Sequence, residues 1–228
     1  MILVLEHDPL VPMGSLGTLL RRRHIAHRLV RLHAGEALPR SPRGASGVIV
    51  LGGRMSVRDE ERHPFLAEEA GFLRSVHEVC VPILGIGLGA QLLARMLGGQ
   101  VGRACVEERG WTMIRLTPAG RDDELFAGLP PAFLAFEWHE ERFSPPPGAQ
   151  LLAAGDACPH QAFRLGNAWG VQFHPEVDAA AVASWAAGCD DAPDICRDTA
   201  RIMPSYRPVA TRLFENFLAV ASRGGMGG

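Results

Sequence analysis

Apolar residues occur in two kinds of run along this 228-residue chain. Ile2 to Leu5, Gly47 to Gly53 (GVIVLGG) and Val81 to Leu84 are short and nearly unbroken, the pattern of strands buried on both faces. Between them apolar positions recur at helical spacing. Gly14 to Leu32 reads as a helix with a basic outer face at Arg21, Arg22 and Arg23, and His63 to Val79 as another through Phe65, Leu66, Ala70, Leu73 and Val76. The run after Val81 breaks at Gly85-Ile-Gly-Leu-Gly89 into a helix whose Leu88, Leu92, Leu93 and Met96 share one side, with Gly98-Gly99 as its stop. A Pro/Gly/Ser stretch from Pro39 to Ser46 reads as a connection.

The second half changes character. Thr112 to Leu116, Ala132 to Glu137, Gln150 to Ala154, Gln161 to Leu165 and Ala168 to Phe173 are strand candidates separated by Pro/Gly turns, and Thr199 to Ser222 is helical. Strand–helix alternation followed by a strand-rich insert predicts an α/β fold. Its central sheet would be mostly parallel and flanked by helices, with an antiparallel strand extension. Residues 1–228 read as a single domain with 222–228 as a flexible tail.

Composition narrows the class. Basic and acidic residues nearly cancel, 23 against 25, so no nucleic-acid footprint or polybasic membrane anchor is expected. All the basic residues are arginine, which reads as a coding bias rather than a function. The apolar run Val81 to Ala94 is too short to span a bilayer. The first residues, MILVLEHDP, read as a strand rather than a signal peptide. Five cysteines with no Cys-x-x-Cys spacing predict neither a disulfide framework nor a zinc site, and a reducing, cytoplasmic setting is expected. No metal or other cofactor is called for.

Three ordered segments carry candidate chemistry: Gly52-Gly53-Arg54-Met55-Ser56 after a buried strand, the Pro82 to Ala94 strand–turn–helix, and Trp169-Gly-Val-Gln-Phe-His-Pro-Glu176. Together they resemble a class I glutamine amidotransferase domain of the type found in GMP synthase and in stand-alone relatives, with motifs spread over essentially the whole chain. In that family the second segment places a cysteine on a strained strand-to-helix turn, activated by the histidine of a His-Pro-Glu motif. The resemblance implies that His174 is the base, Glu176 its orienter, and the backbone amides of Gly53 and Leu88 the oxyanion donors. It places Gln91 against bound glutamine and His139, within the Glu137-Trp-His-Glu-Glu-Arg142 stretch, at the pocket wall or in a structural hydrogen bond. Where the family has its cysteine, this chain has Gly87.

Without a sulfur at position 87 no γ-glutamyl thioester forms, so ordinary glutaminase turnover is expected to be absent. Cys80 precedes the whole strand and would lie at its opposite end. Several readings stay open. The chain could act on or bind a γ-glutamyl-like or other acyl substrate by direct attack of water or a small amine. It could be a non-catalytic pseudo-amidotransferase with a regulatory or scaffold role. Gly87 could also be an engineered replacement in an ordinary glutaminase. Gly85-x-Gly87-x-x-Ala90 fits a dinucleotide fingerprint as well, yet that leaves the Gly-Gly loop and His-Pro-Glu unexplained. No ATP-binding motif is present, so any synthetase or biosynthetic partner would be a separate polypeptide. Arg54, where the family commonly has proline, reads as a solvated loop residue.

Overall fold

Nine strands form one mixed sheet in the computed structural model, which describes residues 1–224. In chain order they are β1 (Ile2–Glu6), β2 (His27–Arg31), β3 (Gly47–Val50), β4 (Ile83–Ile86), β5 (Val101–Leu116), β6 (Ala132–Phe143), β7 (Gln150–Gly155), β8 (Ala162–Leu165) and β9 (Ala168–Val171). The helices are α1 (Gly14–Arg22), α2 (Phe65–Glu78), α3 (Leu88–Met96), α4 (Pro118–Asp122), α5 (Ala179–Ala186) and α6 (Ala192–Gly224). The sheet order is β2-β1-β3-β4-β9-β8-β7-β5-β6. Neighbours from β2 to β9 are parallel, and those from β9 to β6 antiparallel.

Alternation along each strand explains the unbroken apolar runs. Ile2 and Val4 of β1 enter one core with α1, α5 and α6, while Leu3 and Leu5 enter the other with α2 and α3. Both faces of the parallel strands are therefore covered, and every residue of β1, β3, β4 and β9 is buried.

Several elements differ from the sequence reading. The helix expected over 14–32 ends at Arg22; the chain turns at His24 (φ 53°) and returns as β2, in register Ile2↔His27. As an edge strand β2 fully buries only Val30, which leaves almost no alternation to read. The Thr112 candidate is the end of the long β5, which carries a register shift between Arg103 and Glu108, and the Ala132 candidate runs on to Phe143. Helix α5 was not anticipated. Helix α6 starts at Ala192 and passes through Pro204 and Pro208, which lie four residues apart on one exposed side, where water can meet the carbonyls they leave unbonded. Residues 222–224 of the expected tail are helical, and 225–228 lie outside the described residues. Among the described residues no helix is long and apolar enough to cross a membrane.

Two glycines lock the central strand to its helix. A Cβ on Gly89 would drive into the Val50 carbonyl oxygen, and one on Gly85 into the Gly89 carbonyl. Neither neighbour is a mobile side-chain end. Gly89→Ala is therefore expected to cost about 3 kcal/mol through forced backbone displacement. In a chain of this size that is a melting-temperature drop of roughly 6–12 °C, read by scanning calorimetry.

Candidate functional site

The carboxyl ends of the parallel strands bring the three motifs together, as open α/β sheets do with their ligand crevices. Gly52 and Gly53 follow β3, Gly87 follows β4, and His174 follows β9. Gly53, Gly87, Leu88, Gln91, His139 and His174 all line one cleft of about 730 Å³. Glu176 is buried behind it.

Gly87 has φ 55° and ψ −112°, a conformation that glycine adopts without penalty and other residues hold only under strain. Its N–H donates to the Val171 carbonyl at 2.9 Å, and Gln91 N–H donates to its carbonyl at 3.1 Å, so the turn is fixed from both sides. A Cβ built there would point at His174, 2.8 Å from Cε1 and 3.2 Å from Nε2. The imidazole edge thus lies closer to position 87 than an unshifted side chain would permit. The Cε1–Nε2 edge of the ring therefore faces the glycine at close range, on the wall of the same cleft.

His174 is held at four points. Its Nδ1 donates to Glu176 Oε1 at 2.7 Å, its N–H donates to the Phe136 carbonyl at 2.9 Å, its carbonyl accepts from Tyr206 Oη at 3.1 Å, and its ring meets Trp185 edge-on at 4.9 Å. With Nδ1 donating to the carboxylate, the neutral ring presents Nε2 as an acceptor. The Gly-Gly loop is anchored from beneath. Buried His7, just past β1, donates from Nδ1 to the Gly52 carbonyl (3.2 Å) and from Nε2 to Glu69 of α2 (2.8 Å). Burial alone would push the His7 pKa down, but the Glu69 charge and hydrogen bond outweigh it and raise it.

Arg54 is solvated, as expected of it, and also has a buried partner. Its side chain is 66% exposed, yet it forks onto buried Asp8 with Nε at 2.6 Å and Nη2 at 3.2 Å. Burial works against ionisation of Asp8, but the Arg54 hydrogen bonds and charge hold its carboxyl below the usual range. The loop is thereby tied to the segment just past β1.

His139 is both a cleft residue and a hydrogen-bonded one. Its Nε2 lies 3.1 Å from Glu108 Oε2 and 3.3 Å from Glu137 Oε2, all nearly inaccessible. Desolvation opposes its charge, but the two carboxylates prevail and raise its pKa to about 9. Burial raises the Glu137 carboxyl despite His139 beside it. Gln161 Nε2 also donates to Glu108 Oε2, at 3.0 Å. Gln91 Nε2 donates to the Glu141 carbonyl at 2.9 Å and lies 3.4 Å from Gln172 Oε1, so this amide is engaged within the protein.

Among the described residues, Glu108, His139 and Cys158 form the one group of three possible metal ligands, with donor atoms within 4.8 Å of one another. Here the His139 proton is shared with the carboxylates, and burial pushes the Cys158 thiol up to about 11. A metal ion would have to displace both protons. All five cysteines are free; Cys80 is exposed in the connection ahead of β4, at the end of that strand away from Gly87.

The family model for class I glutamine amidotransferases matches residues 18–182. This chain belongs to that family. The glutamine-hydrolyzing GMP synthase of Aeropyrum pernix is 41% identical over 145 residues, covering 63% of this chain and 26% of that protein. One of the subunits of the glutamine-hydrolyzing GMP synthase of Thermococcus kodakarensis is 39% identical over 111 residues, covering 47% of this chain and 57% of its own length. The match thus spans about a quarter of the first and less than two thirds of the second. A crystal structure of a glutamine amidotransferase from Thermotoga maritima superposes with a TM-score of 0.87 at 28% identity, covering 95% of this chain and 96% of its own. One from Methylobacillus flagellatus gives 0.87 at 26%, covering 96% and 94%. The mixed nine-stranded sheet with flanking helices is thus the class I amidotransferase fold over nearly the whole chain.

Within that family fold, the residues missed in the sequence are supports rather than motif members: His7 with Glu69, Asp8 with Arg54, and Glu108 with Glu137. One signal was available. His7 and Asp8 are polar residues directly after a buried strand, at the same sheet end as Gly52.

Proposed function

We propose that this chain is a glutamine amidotransferase-type protein that works without a thioester, taking a γ-glutamyl-like acyl compound in the cleft around Gly87. The observation that carries the reading is the buried His174–Glu176 pair at 2.7 Å, set in the cleft wall opposite a residue with no side chain. With the cysteine position empty, the group that His174 Nε2 deprotonates is a water or small amine. Its lone pair attacks the acyl carbon, and the carbonyl oxygen takes the charge beside the Gly53 and Leu88 amides. Neither amide donates to another backbone carbonyl among the described residues. As the tetrahedral centre collapses, the C–N bond breaks and His174 returns its proton to the leaving nitrogen. Glu176 steadies the imidazolium in between. Gln91 and His139, held by their own partners, shape the pocket. A separate synthetase or other biosynthetic protein would receive the released nitrogen in the cytoplasm, in keeping with the Thermococcus relative's being named as one subunit of a GMP synthase.

A second reading, a ligand-binding pseudo-amidotransferase, is favoured by the closeness of the His174 ring to position 87. One experiment separates them: calorimetric titration with glutamine and γ-glutamyl amides, alongside turnover by the parent and by His174→Ala. Slow turnover that falls roughly 10²–10⁴-fold in His174→Ala supports direct attack. Binding without turnover supports the pseudoenzyme. No binding of any of these compounds overturns both and leaves a partner-binding scaffold.

A further inference from the structure

We infer that the leaving-group side of the cleft is an aromatic subsite, built by Trp185 and Trp138, and that the substrate is an aryl or heteroaryl amide rather than a primary amide such as glutamine. This rests on the reading that the cleft takes a γ-glutamyl-type ligand and names the other half of that ligand.

The inference follows from where the leaving group must be. A general acid has to lie within hydrogen-bond reach of the atom it protonates, so the departing nitrogen sits beside His174. The side chain edge-on to the His174 ring is Trp185, at 4.9 Å, and Trp138 follows 6.4 Å further on at an angle of 59°. Both indoles line the cleft and both are only half-buried, so apolar ring surface faces the space next to the reacting nitrogen.

Both rings are fixed in advance. Trp185 Nε1 donates to the Leu10 carbonyl at 2.6 Å, which anchors α5 across the cleft mouth to the segment after β1. Trp138 is stacked on Phe136 at 12° and 6.0 Å, and the Arg109 guanidinium lies 5.8 Å from its centroid. Immobile indoles give up little conformational freedom when a ring docks against them, so they bind aromatic groups efficiently. Ammonia would gain nothing from such a wall.

Size and chemistry agree. A cleft of about 730 Å³ suits a drug-sized ligand, and glutamine is far smaller. An arylamine is also a better leaving group than ammonia. That matters where water attacks directly, with no thioester to split the barrier into two easier steps. The step balances as before: the acyl C–N bond breaks, a C–O bond forms, and the proton taken from water leaves on the arylamine.

The test uses the full chain, with three ligands for binding (glutamine, γ-glutamyl methylamide and γ-glutamyl anilide) and a fourth compound for turnover. Binding is read by calorimetry, and γ-glutamyl p-nitroanilide gives turnover by absorbance. The anilide is expected to bind at least roughly tenfold more tightly than the methylamide. Trp185→Ala should erase that preference, and Trp185→Phe should restore most of it, since it keeps a ring and loses only the bond to Leu10. Because Trp185 also anchors α5, Trp138→Leu provides a second variant, expected to narrow the preference without touching that anchor. Glutamine binding with no aryl preference, as when the wall is covered by a protein partner, overturns the inference and leaves the proposed function standing. A preference that survives both tryptophan substitutions overturns it as well. If none of the ligands binds, both fall together.

Discussion

Gly87→Cys is expected to release ammonia from glutamine where the parent releases none above background. In triad enzymes, removal of the nucleophile costs about six orders of magnitude in turnover, which sets the ceiling for what its return can bring back. Two features of this site keep the gain below that ceiling. Cysteine must adopt the positive φ that Gly87 now holds freely, at a cost of about 1–3 kcal/mol. Its Cβ would also meet His174 Cε1 at 2.8 Å, so the imidazole must swing back while keeping its bond to Glu176. A coupled ammonia assay is the measurement, with His174→Ala in the Gly87→Cys background as control. A gain of several orders of magnitude that the control abolishes would mean that only the nucleophile is missing. If the variant stays silent while still binding glutamine, the close approach of His174 to position 87 has outlasted the substitution. The site would then no longer be an interrupted glutaminase.

The second large effect is on stability, and pH sets it. His139 titrates at about 9 in the folded chain, against about 6.5 when unfolded. A raised pKa stabilises the fold fully below the unfolded value, and that stabilisation is lost as pH climbs through the folded one. The contribution is therefore intact up to about pH 6.5 and gone above about pH 9, and amounts to roughly 3 kcal/mol. Cys158, raised to about 11, extends the decline further into alkali. The melting temperature should fall by roughly 6–12 °C between about pH 6 and about pH 9.5. His139→Gln should be less stable at neutral pH and flatter across that window. A wild-type profile as flat as the variant's would show that the carboxylates do not hold the imidazolium.

How much of this could be read from the chain depends on where each residue sits. Strands β1, β3 and β4 were plain because burial on both faces leaves an unbroken apolar run that no surface helix carries. Strand β2 was not, because an edge strand with one buried residue has no alternation, and its arginines continued the basic face of α1. Helix α6 begins seven residues before the expected Thr199, and its first turn holds Pro193, a residue tolerated there but typical of connections. In the site, Gly87, His174 and Glu176 were singled out because short motifs carry the family resemblance, and the fold brings them to one end of the sheet. The buried Glu108–His139–Glu137 group was not, since it joins residues from two strands whose pairing no local pattern reveals. The Trp138–Trp185 wall was hidden for the same reason, one ring coming from a strand and the other from an unforeseen helix.

The order in which this chain emerges during synthesis is not the order of its sheet. Strand β9 is the last strand made, yet it lies in the middle, with Ile83 of β4 paired to Ala168. Until β9 arrives, β4 is an open edge flanked by the most apolar stretch of the sequence, and the antiparallel strands β5 to β8 have nothing to link them to the parallel half. His174 then waits longer still, because its carbonyl is held by Tyr206 on α6. A nascent chain halted before Ala192 would contain all three motifs and still lack the Tyr206 hold on the histidine. For this protein the ribosome-bound stage is when a holdase chaperone matters most.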